Sequence, residues 1–262
     1  MAALLTFNWT PGPRKLRWLL AVVSFLILSC GLDVEDSTQL SPPVWVQKSL
    51  PEEWPERGID AHESGGIFLE WLPNPSDENV QSYLIFRTEY FDAQDSLGDY
   101  ELLSILDMRT DDITEYIDRT NNVNRRYYYV IIAENDAGNQ STFSDTLSYI
   151  RFGAITAVSL QPNGVDIMLP QDRKVQWTYE DDVALENYTL TILNGENDLI
   201  LRRQLTPGNY IGGIEYFTIP DTILLLSGDI YKWRVDMGAQ YVDGRETAGS
   251  ESAWATFLYT AP

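Results

Sequence analysis

The segment Tyr231-Lys232-Trp233-Arg234-Val235-Asp236-Met237 alternates strictly between apolar and charged side chains. Successive side chains of a strand point to opposite faces, so a period of two predicts a β-strand with one buried face. The segment Tyr127–Ala133 repeats this pattern, with apolar or aromatic residues at positions 127, 129, 131 and 133. Because the two segments lie in different halves of the chain, they predict an all-β fold in both halves.

Shorter runs of the same kind surround these segments and are separated by chain breakers. Alternation is clear in Ile67–Trp71 and Tyr83–Arg87, and again in Val175–Tyr179 and Tyr188–Ile192. Between runs lie turn signals such as Asn194-Gly195, whose residues tolerate positive φ. Each half therefore has about seven short strands, with a Trp on the second and a Tyr on the sixth, which is typical of a β-sandwich.

Two short stretches in the second half are less regular. Ile167–Leu169, which precedes Pro170, is predicted to be a short strand. The run Ile223–Leu226 is the one place where a helical turn competes. We interpret it as the loop before the sixth strand, with one Leu inserted into the end of the core.

The first half resembles fibronectin type III domains at specific residues. Trp71 occupies the second-strand position, Asp77–Arg87 resembles the entry to the third strand, and Tyr127–Asn135 followed by Ala137-Gly138 resembles the sixth strand and its turn. The resemblance covers residues 43–150 and implies that the Tyr127 hydroxyl bonds back to upstream backbone, as in a tyrosine corner.

The second half, residues 151–262, resembles the same family more loosely. Trp177, Tyr188 and the Tyr231-x-Trp-x-Val pattern carry the likeness, whereas the loop Thr206–Glu215 departs from it. A related immunoglobulin-like sandwich is the alternative for this half. The predicted fold is therefore all-β, with two fibronectin type III-like (immunoglobulin-like) β-sandwiches in tandem.

The N-terminus has the layout of a secretory signal. Arg14, Lys15 and Arg17 precede the apolar run Trp18–Ser29, and no acidic residue lies before Cys30. That run of 12 residues is shorter than the roughly 20 of an ordinary membrane span, and it fits the core of a signal peptide.

The sequence Ile27-Leu28-Ser29-Cys30 resembles the lipobox of bacterial lipoproteins. The resemblance implies cleavage before Cys30 and attachment of lipid to its sulfur and new amino group. Residues 1–29 are then a signal peptide, and residues 30–42 are the lipidated Cys with an acidic, flexible tether. The expected location is the outer membrane or surface of a bacterial cell, with a periplasm-facing location as the alternative.

The charge balance limits the partners. The chain has 18 Lys+Arg and 39 Asp+Glu, a formal charge of −21. Removing residues 1–29 takes away three basic residues and no acid, which leaves about −24. This charge disfavours nucleic-acid binding through phosphates and lying flat on anionic lipid. One Cys also rules out an intramolecular disulfide.

Catalytic and metal motifs are weak. His62 is the only imidazole, it lies in an acidic loop, and no Gly-x-Ser-x-Gly elbow is present. Acidic residues cluster at Asp92, Asp95, Asp99 and Glu101 and at Asp111-Asp112, but neither cluster has EF-hand spacing, so bound calcium is left open. The expectation is a protein that is not an enzyme and has no cofactor.

Aromatic residues are the most suggestive feature, because the chain has 8 Trp and 15 Tyr. The cores need several of them, but Tyr128 and five others lie in predicted loops or edges. Those five are the candidate binding residues: Trp45, Trp54, Tyr90, Phe91 and Tyr241. Exposed aromatic rings anchor protein interfaces and stack on sugars. The sequence therefore predicts a lipid-anchored envelope protein that presents a surface to protein partners, with carbohydrate binding as the alternative.

Overall fold

The computed structural model describes residues 40–47, 58–91, 96–108, 113–153, 159–179, 185–208, 210–211, 214–242 and 245–261. Secondary structure in these residues consists mainly of strands, and a short 3-10 turn lies at Ser76–Glu78. Cys30 and Trp54 lie outside the described residues.

The described part of the first half contains nine strands. They are β1 (Val44–Trp45), β2 (Ile59–Ala61), β3 (Ile67–Leu72), β4 (Val80–Phe91), β5 (Ser96–Leu97), β6 (Glu101–Asp107), β7 (Glu115–Asp118), β8 (Arg126–Asn135) and β9 (Leu147–Arg151). Strand β3 pairs with β1, β2 and β7 in one sheet, while β6, β4, β8 and β9 are neighbours in the other.

The two sheets of the first half enclose one core. Alternate residues of β3 and β4 face it, because Ile67, Leu69 and Trp71 are at most 1% exposed, as are Tyr83 and Ile85. Alternate residues of β8 complete the core from Tyr127 to Ala133. The period of two that predicted these strands is therefore the pattern by which they are buried.

In the second half, the residues that the structure describes form eight strands. They are β10 (Lys174–Trp177), β11 (Asn187–Leu193), β12 (Leu199–Leu205), β13 (Tyr210–Ile211), β14 (Ile214–Thr218), β15 (Ile230–Val242), β16 (Arg245–Glu251) and β17 (Ala255–Leu258). Strands β10, β14 and β13 form one sheet, and β12, β11, β15 and β17 lie in the facing one. A second core, made from residues between Leu160 and Phe257, lies between them.

The two cores share one aromatic arrangement. Trp71 and Tyr83 meet edge to face at 5.3 Å and 71°, and Trp177 and Tyr188 meet at 5.3 Å and 72°. Edge-to-face packing suits the ring quadrupoles and adds to the burial of large apolar surfaces. The two halves are thus structural repeats around a Trp on one strand of each smaller sheet, β3 in the first half and β10 in the second.

Tyrosine corners are present in both halves. The Asn122 N–H donates to the Tyr127 hydroxyl oxygen at 3.2 Å, and the Leu226 N–H donates to that of Tyr231 at 2.8 Å. This confirms the upstream backbone bond that the family resemblance implied for Tyr127. The loop before β15 also matches its interpretation, because Leu225 is 6% exposed and packs in the second core.

The predicted strand at Ile167–Leu169 is wrong. Met168 makes only an isolated bridge to Leu258, and Ile167 and Met168 are 49% and 61% exposed. Pro170 follows directly and cannot donate a backbone hydrogen bond, so the pairing with β17 stops there.

The larger sheets of the two halves join at one seam. Strands β15 and β16 form a long hairpin, and β16 pairs in parallel with β9, setting Ala248 opposite Ile150 and Gly249 opposite Arg151. The result is a ten-stranded sheet, within a single compact unit that comprises residues 40–262. Backbone hydrogen bonding across this seam fixes one half against the other.

Candidate functional site

The outer face of the β6–β4–β8 sheet in the first half is apolar. On β4 the inward residues are Tyr83 and Ile85, so Leu84 and Phe86 face outward. Leu84 pairs with Ile105 and Ile132, and Phe86 pairs with Leu102 and Val130. Leu102 and Ile105 are 49% and 57% exposed, although half-solvated sheet faces ordinarily carry polar side chains.

Phe143 completes this face from the segment between β8 and β9. Its ring meets Phe86 edge to face at 5.7 Å and stacks near Tyr100 at 6.3 Å, yet it is 52% exposed. Leu102, Ile105 and Phe143 are exposed on this surface and Phe86 is half-buried, whereas Leu84, Val130 and Ile132 are buried within it. We call the surface formed by these seven residues the Phe143 face.

Two serines hold the Phe143 segment against β8. The N–H groups of Ala133 and Ile131 donate to the Oγ atoms of Ser141 and Ser144, each at 3.0 Å. The serine N–H groups donate back to the carbonyls of Ala133 and Ile131. These bonds extend the hydrogen bonding along the edge of β8 to residues that precede the start of β9 at Leu147. They also hold the Phe143 ring over the sheet.

A pocket of about 180 Å³ opens beside Phe143. Its walls come from two segments, Pro42–Trp45 with Gln47, and Asp145–Leu147. Trp45 forms one wall, is 6% exposed, and donates from its indole N–H to the Asp145 carbonyl at 2.6 Å. Ordinary small-molecule pockets start at about 300 Å³, so this volume suits one protruding side chain better than a cofactor.

The segments that border the Phe143 face carry only negative charge. Residues 96–107 contain Asp99, Glu101 and Asp107, and residues 132–147 contain Glu134, Asp136 and Asp145. Neither segment contains Lys or Arg. The face therefore combines an apolar centre with an acidic border.

The predicted aromatic candidates are divided among different places. Trp45 reaches the pocket beside Phe143, whereas Tyr90 and Phe91 end β4, where they pair with β5. Phe91 is 44% exposed and Tyr90 is half-buried. Tyr241 pairs with Glu246 near the tip of the β15–β16 hairpin, and its side chain lies outside the described part of the structure.

Sequence reasoning missed Phe143, Leu102 and Ile105. A signal was available in Leu102-Leu103-Ser104-Ile105-Leu106, where apolar residues follow one another without alternation. Such a run has apolar side chains on both faces of the strand, so one set must lie outside the core.

A cluster of polar side chains lies at the seam between the halves, apart from the Phe143 face. The Tyr149 hydroxyl is 2.9 Å from Asp60 Oδ1 and 2.8 Å from Glu246 Oε1, and its side chain is fully buried. Burial raises the pKa of Tyr149 well above its ordinary value, and the carboxylates of Glu246 and Asp60 raise it further. The phenol therefore stays protonated, and it donates its single proton to one carboxylate at a time while it lies between acids from both halves.

Arg234 joins the same seam from β15. Its guanidinium contacts Glu251 at 2.5 Å, Asp236 at 3.1 Å and, in the first half, Glu63 at 3.7 Å. Burial alone lowers the pKa of Arg234, but the carboxylates of Asp236 and Glu251 outweigh it and hold that pKa above its usual value. The contacts are those of a structural ion-pair network.

His62 lies next to this network in the turn after β2. Its Nδ1 atom lies 2.8 Å from Ser64 Oγ and accepts a hydrogen bond from the Ser64 N–H at 3.1 Å. Partial burial lowers the pKa of His62, Glu63 opposes this, and Arg119 and Arg234 add to it. Its contacts stabilise the turn that carries Glu63 toward Arg234.

Neither a metal-binding cluster nor a membrane-spanning helix is present among the described residues. Across the described ranges, no group of three or more His, Cys, Asp and Glu side chains is arranged to hold a metal ion. Asp92, Asp95, Asp111 and Asp112 lie outside those ranges, so the calcium question at these loops is not tested. The described residues also contain no helix with the length and apolar character to cross a membrane.

Similarity to known proteins is found among solved structures. No family model matches the chain, and no curated protein matches it. Among solved structures, a β-1,2-glucanase from Parabacteroides distasonis is 23% identical with a TM-score of 0.32, over 44% of this chain and 13% of that one. The match therefore spans less than half of this chain and a small part of that enzyme.

Two further solved structures contain fibronectin type III domains. The FN1-FN3 domains of chicken CNTN1 are 12% identical with a TM-score of 0.34, covering 84% of this chain and 69% of theirs. A two-domain fibronectin type III segment of chicken tenascin is 12% identical with a TM-score of 0.27, covering 78% and 96%. The fold class follows from this chain's own geometry, which is that of two fibronectin type III-like β-sandwiches with a tyrosine corner in each.

Proposed function

We propose that this is a lipid-anchored protein of the bacterial cell envelope that binds another protein through the Phe143 face. The observation that carries the proposal is the solvent exposure of Phe143, Leu102 and Ile105 on one sheet face. A contiguous apolar patch with a polar border is typical of an interaction site. The proposal includes no catalytic activity.

The chemistry of the face favours a protein partner. Sugar sites combine aromatic platforms with hydrogen-bonding side chains, whereas Leu102 and Ile105 provide only aliphatic surface. The pocket beside Phe143 has room for a single inserted side chain. Because the bordering segments are acidic, the partner surface we expect has an apolar centre surrounded by Lys and Arg.

The anchor rests on the lipobox-like sequence that ends at Cys30. A single acyl chain would anchor the protein to the membrane only weakly, so stable attachment requires several acyl chains on the modified Cys. Cys30→Ala should move the protein from the membrane fraction to the soluble fraction. Proteolysis of intact cells then separates the two locations, because a surface protein is digested and a periplasm-facing one is protected. Unchanged membrane association of the variant would overturn the anchor.

Photocrosslinking in intact cells tests the binding face. A photoreactive residue at Leu102 should give a discrete adduct with a second protein, and Phe143→Ser should remove that adduct. The matched control is the same residue at Leu224, which is 78% exposed on the other sandwich and should give no adduct. Equal adducts at both positions, or no adduct with a second protein at Leu102, would contradict the proposal.

Carbohydrate binding is the second candidate, and the exposed ring of Phe91 supports it. Titration with a panel of envelope and extracellular polysaccharides tests this candidate directly. Binding that is lost in Phe91→Ala but kept in Phe143→Ser would favour a glycan site at the end of β4.

A further inference from the structure

The ten-stranded sheet ends in two strands of opposite charge. Within the described residues, β6 pairs only with β4, and β12 pairs only with β11. Both strands are seven residues long. Strand β6 carries Glu101 and Asp107 without a basic residue, while β12 carries Arg202 and Arg203 without an acidic one.

We propose that copies of this chain associate head to tail, with β12 of one copy pairing with β6 of the next. Edge strands offer one unpaired side of their backbone, and a complementary strand can pair there. The two edges lie at opposite ends of one sheet, so the contact is heterologous and leaves both outer ends available for further copies.

One antiparallel register matches the two edges in both charge and hydrophobicity. Setting Arg203 opposite Glu101 places Leu201 opposite Leu103 and Leu199 opposite Ile105. Arg203 and Glu101 are both exposed, and so are Leu199 and Ile105, at 44% and 57%. Cross-strand pairs of opposite charge and of apolar residues each stabilise an antiparallel contact.

The same charges disfavour the symmetric alternatives. Pairing β6 with β6 brings acids together, and pairing β12 with β12 brings arginines together, which destabilises either contact. The overall charge of −21 also opposes the approach of two copies. At 0.15 M salt this repulsion is screened over about 8 Å, whereas the edge contact acts at hydrogen-bonding distance.

Charge reversal on each edge tests the proposal. The full chain is purified in nonionic detergent, and its oligomeric state is measured by sedimentation at 0.15 M NaCl. The native chain should form a concentration-dependent series of dimers, trimers and larger species. Glu101→Lys and Arg203→Glu should each weaken association about tenfold, because an attractive cross-strand pair becomes a repulsive one. Asp229→Lys, an exposed charge reversal outside both edges, is the matched control and should associate like the native chain.

Two further experiments combine the charge reversals and show whether the effect is specific to this pair of edges. Glu101→Lys mixed with Arg203→Glu should restore the series, because every edge then meets an opposite charge. The double variant Glu101→Lys/Arg203→Glu should restore it in a single chain. A native chain that stays monomeric, single variants that associate like the native chain, or a double variant that stays weak would each overturn the proposal. Because Phe143 lies on neither edge strand, Phe143→Ser should leave this series intact, so the test is separate from that of the Phe143 face.

Discussion

The hydroxyl oxygen of Tyr149 in the first sandwich lies 2.8 Å from Glu246 Oε1 in the second. The same oxygen lies 2.9 Å from Asp60 Oδ1, so one buried phenol contacts carboxylates from both halves. This contact lies beside the seam at which β9 and β16 pair. The two sandwiches are therefore joined by side-chain as well as backbone hydrogen bonds.

Tyr149→Phe should lower the free energy of unfolding by about 1–3 kcal/mol. The variant removes a buried donor and leaves its acceptors without that bond, which costs the desolvation of a polar group. Denaturant titration followed by tryptophan fluorescence measures the change. Tyr128→Phe, on the outer face of β8, is the matched control and should change stability by less than about 0.5 kcal/mol. Equal effects at the two positions would contradict a bonding role for the Tyr149 hydroxyl.

A second prediction concerns Asp118, which is fully buried at the end of β7. Its carboxylate pairs with Arg87 at 2.7 Å and accepts hydrogen bonds from Tyr129 and Thr120, each at 2.8 Å. Burial alone raises the pKa of Asp118, but the bonds from Arg87 and Thr120 outweigh it and hold the pKa below its ordinary value. A lowered pKa in the folded state contributes stability that is present above the unfolded pKa of about 3.9 and is lost as pH falls through the folded pKa.

Asp118→Asn should therefore destabilise the protein by about 3 kcal/mol at neutral pH, because Arg87 loses its charge partner. The difference between native and variant should shrink as the pH is lowered below about 4, because the unfolded chain then binds a proton at Asp118 that the native carboxylate takes up only at lower pH. Denaturant titrations at a series of pH values measure it. A difference that stays constant down to pH 2 would show that the ionised carboxylate is not the stabilising group.

The two tyrosine corners provide an internal comparison. Tyr127→Phe and Tyr231→Phe each remove a hydroxyl that accepts a backbone N–H five residues upstream. Each variant should lose about 1 kcal/mol, the usual net contribution of one hydrogen bond. The shorter distance at Tyr231, 2.8 Å against 3.2 Å, predicts the larger loss there. A measurable loss at one corner only would show that the two corners are not energetically equivalent.

Local patterns made the strands and the cores predictable. Alternation in Tyr127–Ala133 and Tyr231–Met237 reports which residues face the core, because the two faces of a strand differ in solvent exposure. The tyrosine corner is also local, since hydroxyl and backbone lie five residues apart. Leu225 could be assigned to the core because it lies among three other apolar residues that precede β15.

The seam and the Phe143 face could not be predicted from the same patterns. Pairing of β16 with β9 brings together residues about 98 positions apart, as with Ala248 and Ile150, and no short-range period encodes it. In the first half the run Leu102–Leu106 is apolar on both strand faces, so alternation could not show which side chains remain exposed. Trp45 was selected as an exposed aromatic near a strand edge, but its side chain is 6% exposed and packs in the first core, where it also forms one wall of the pocket beside Phe143.

Gly249 is the position where the seam is most sensitive to added volume. A Cβ atom there would overlap Glu246 Oε1, the Met237 carbonyl oxygen and the Tyr149 hydroxyl. Gly249 also pairs with Arg151 of β9, and its carbonyl accepts the Phe152 N–H at 2.8 Å. Gly249→Ala should therefore cost about 1–3 kcal/mol, the usual range for overpacking, and should weaken the pairing of β9 with β16.

Amide hydrogen exchange locates the effect of this substitution. Exchange in Gly249→Ala should rise at β9 and β16, while β3 and β10 in the two smaller sheets should keep their protection. Gly195→Ala is the matched control, because the nearest atom to its added Cβ is the Ile230 carbonyl oxygen at an ordinary 3.7 Å. The control should be neutral or slightly stabilising, since Ala restricts the unfolded chain more than Gly. Uniformly faster exchange across both sandwiches would mean that the seam does not open independently, and that the two halves unfold as one cooperative unit.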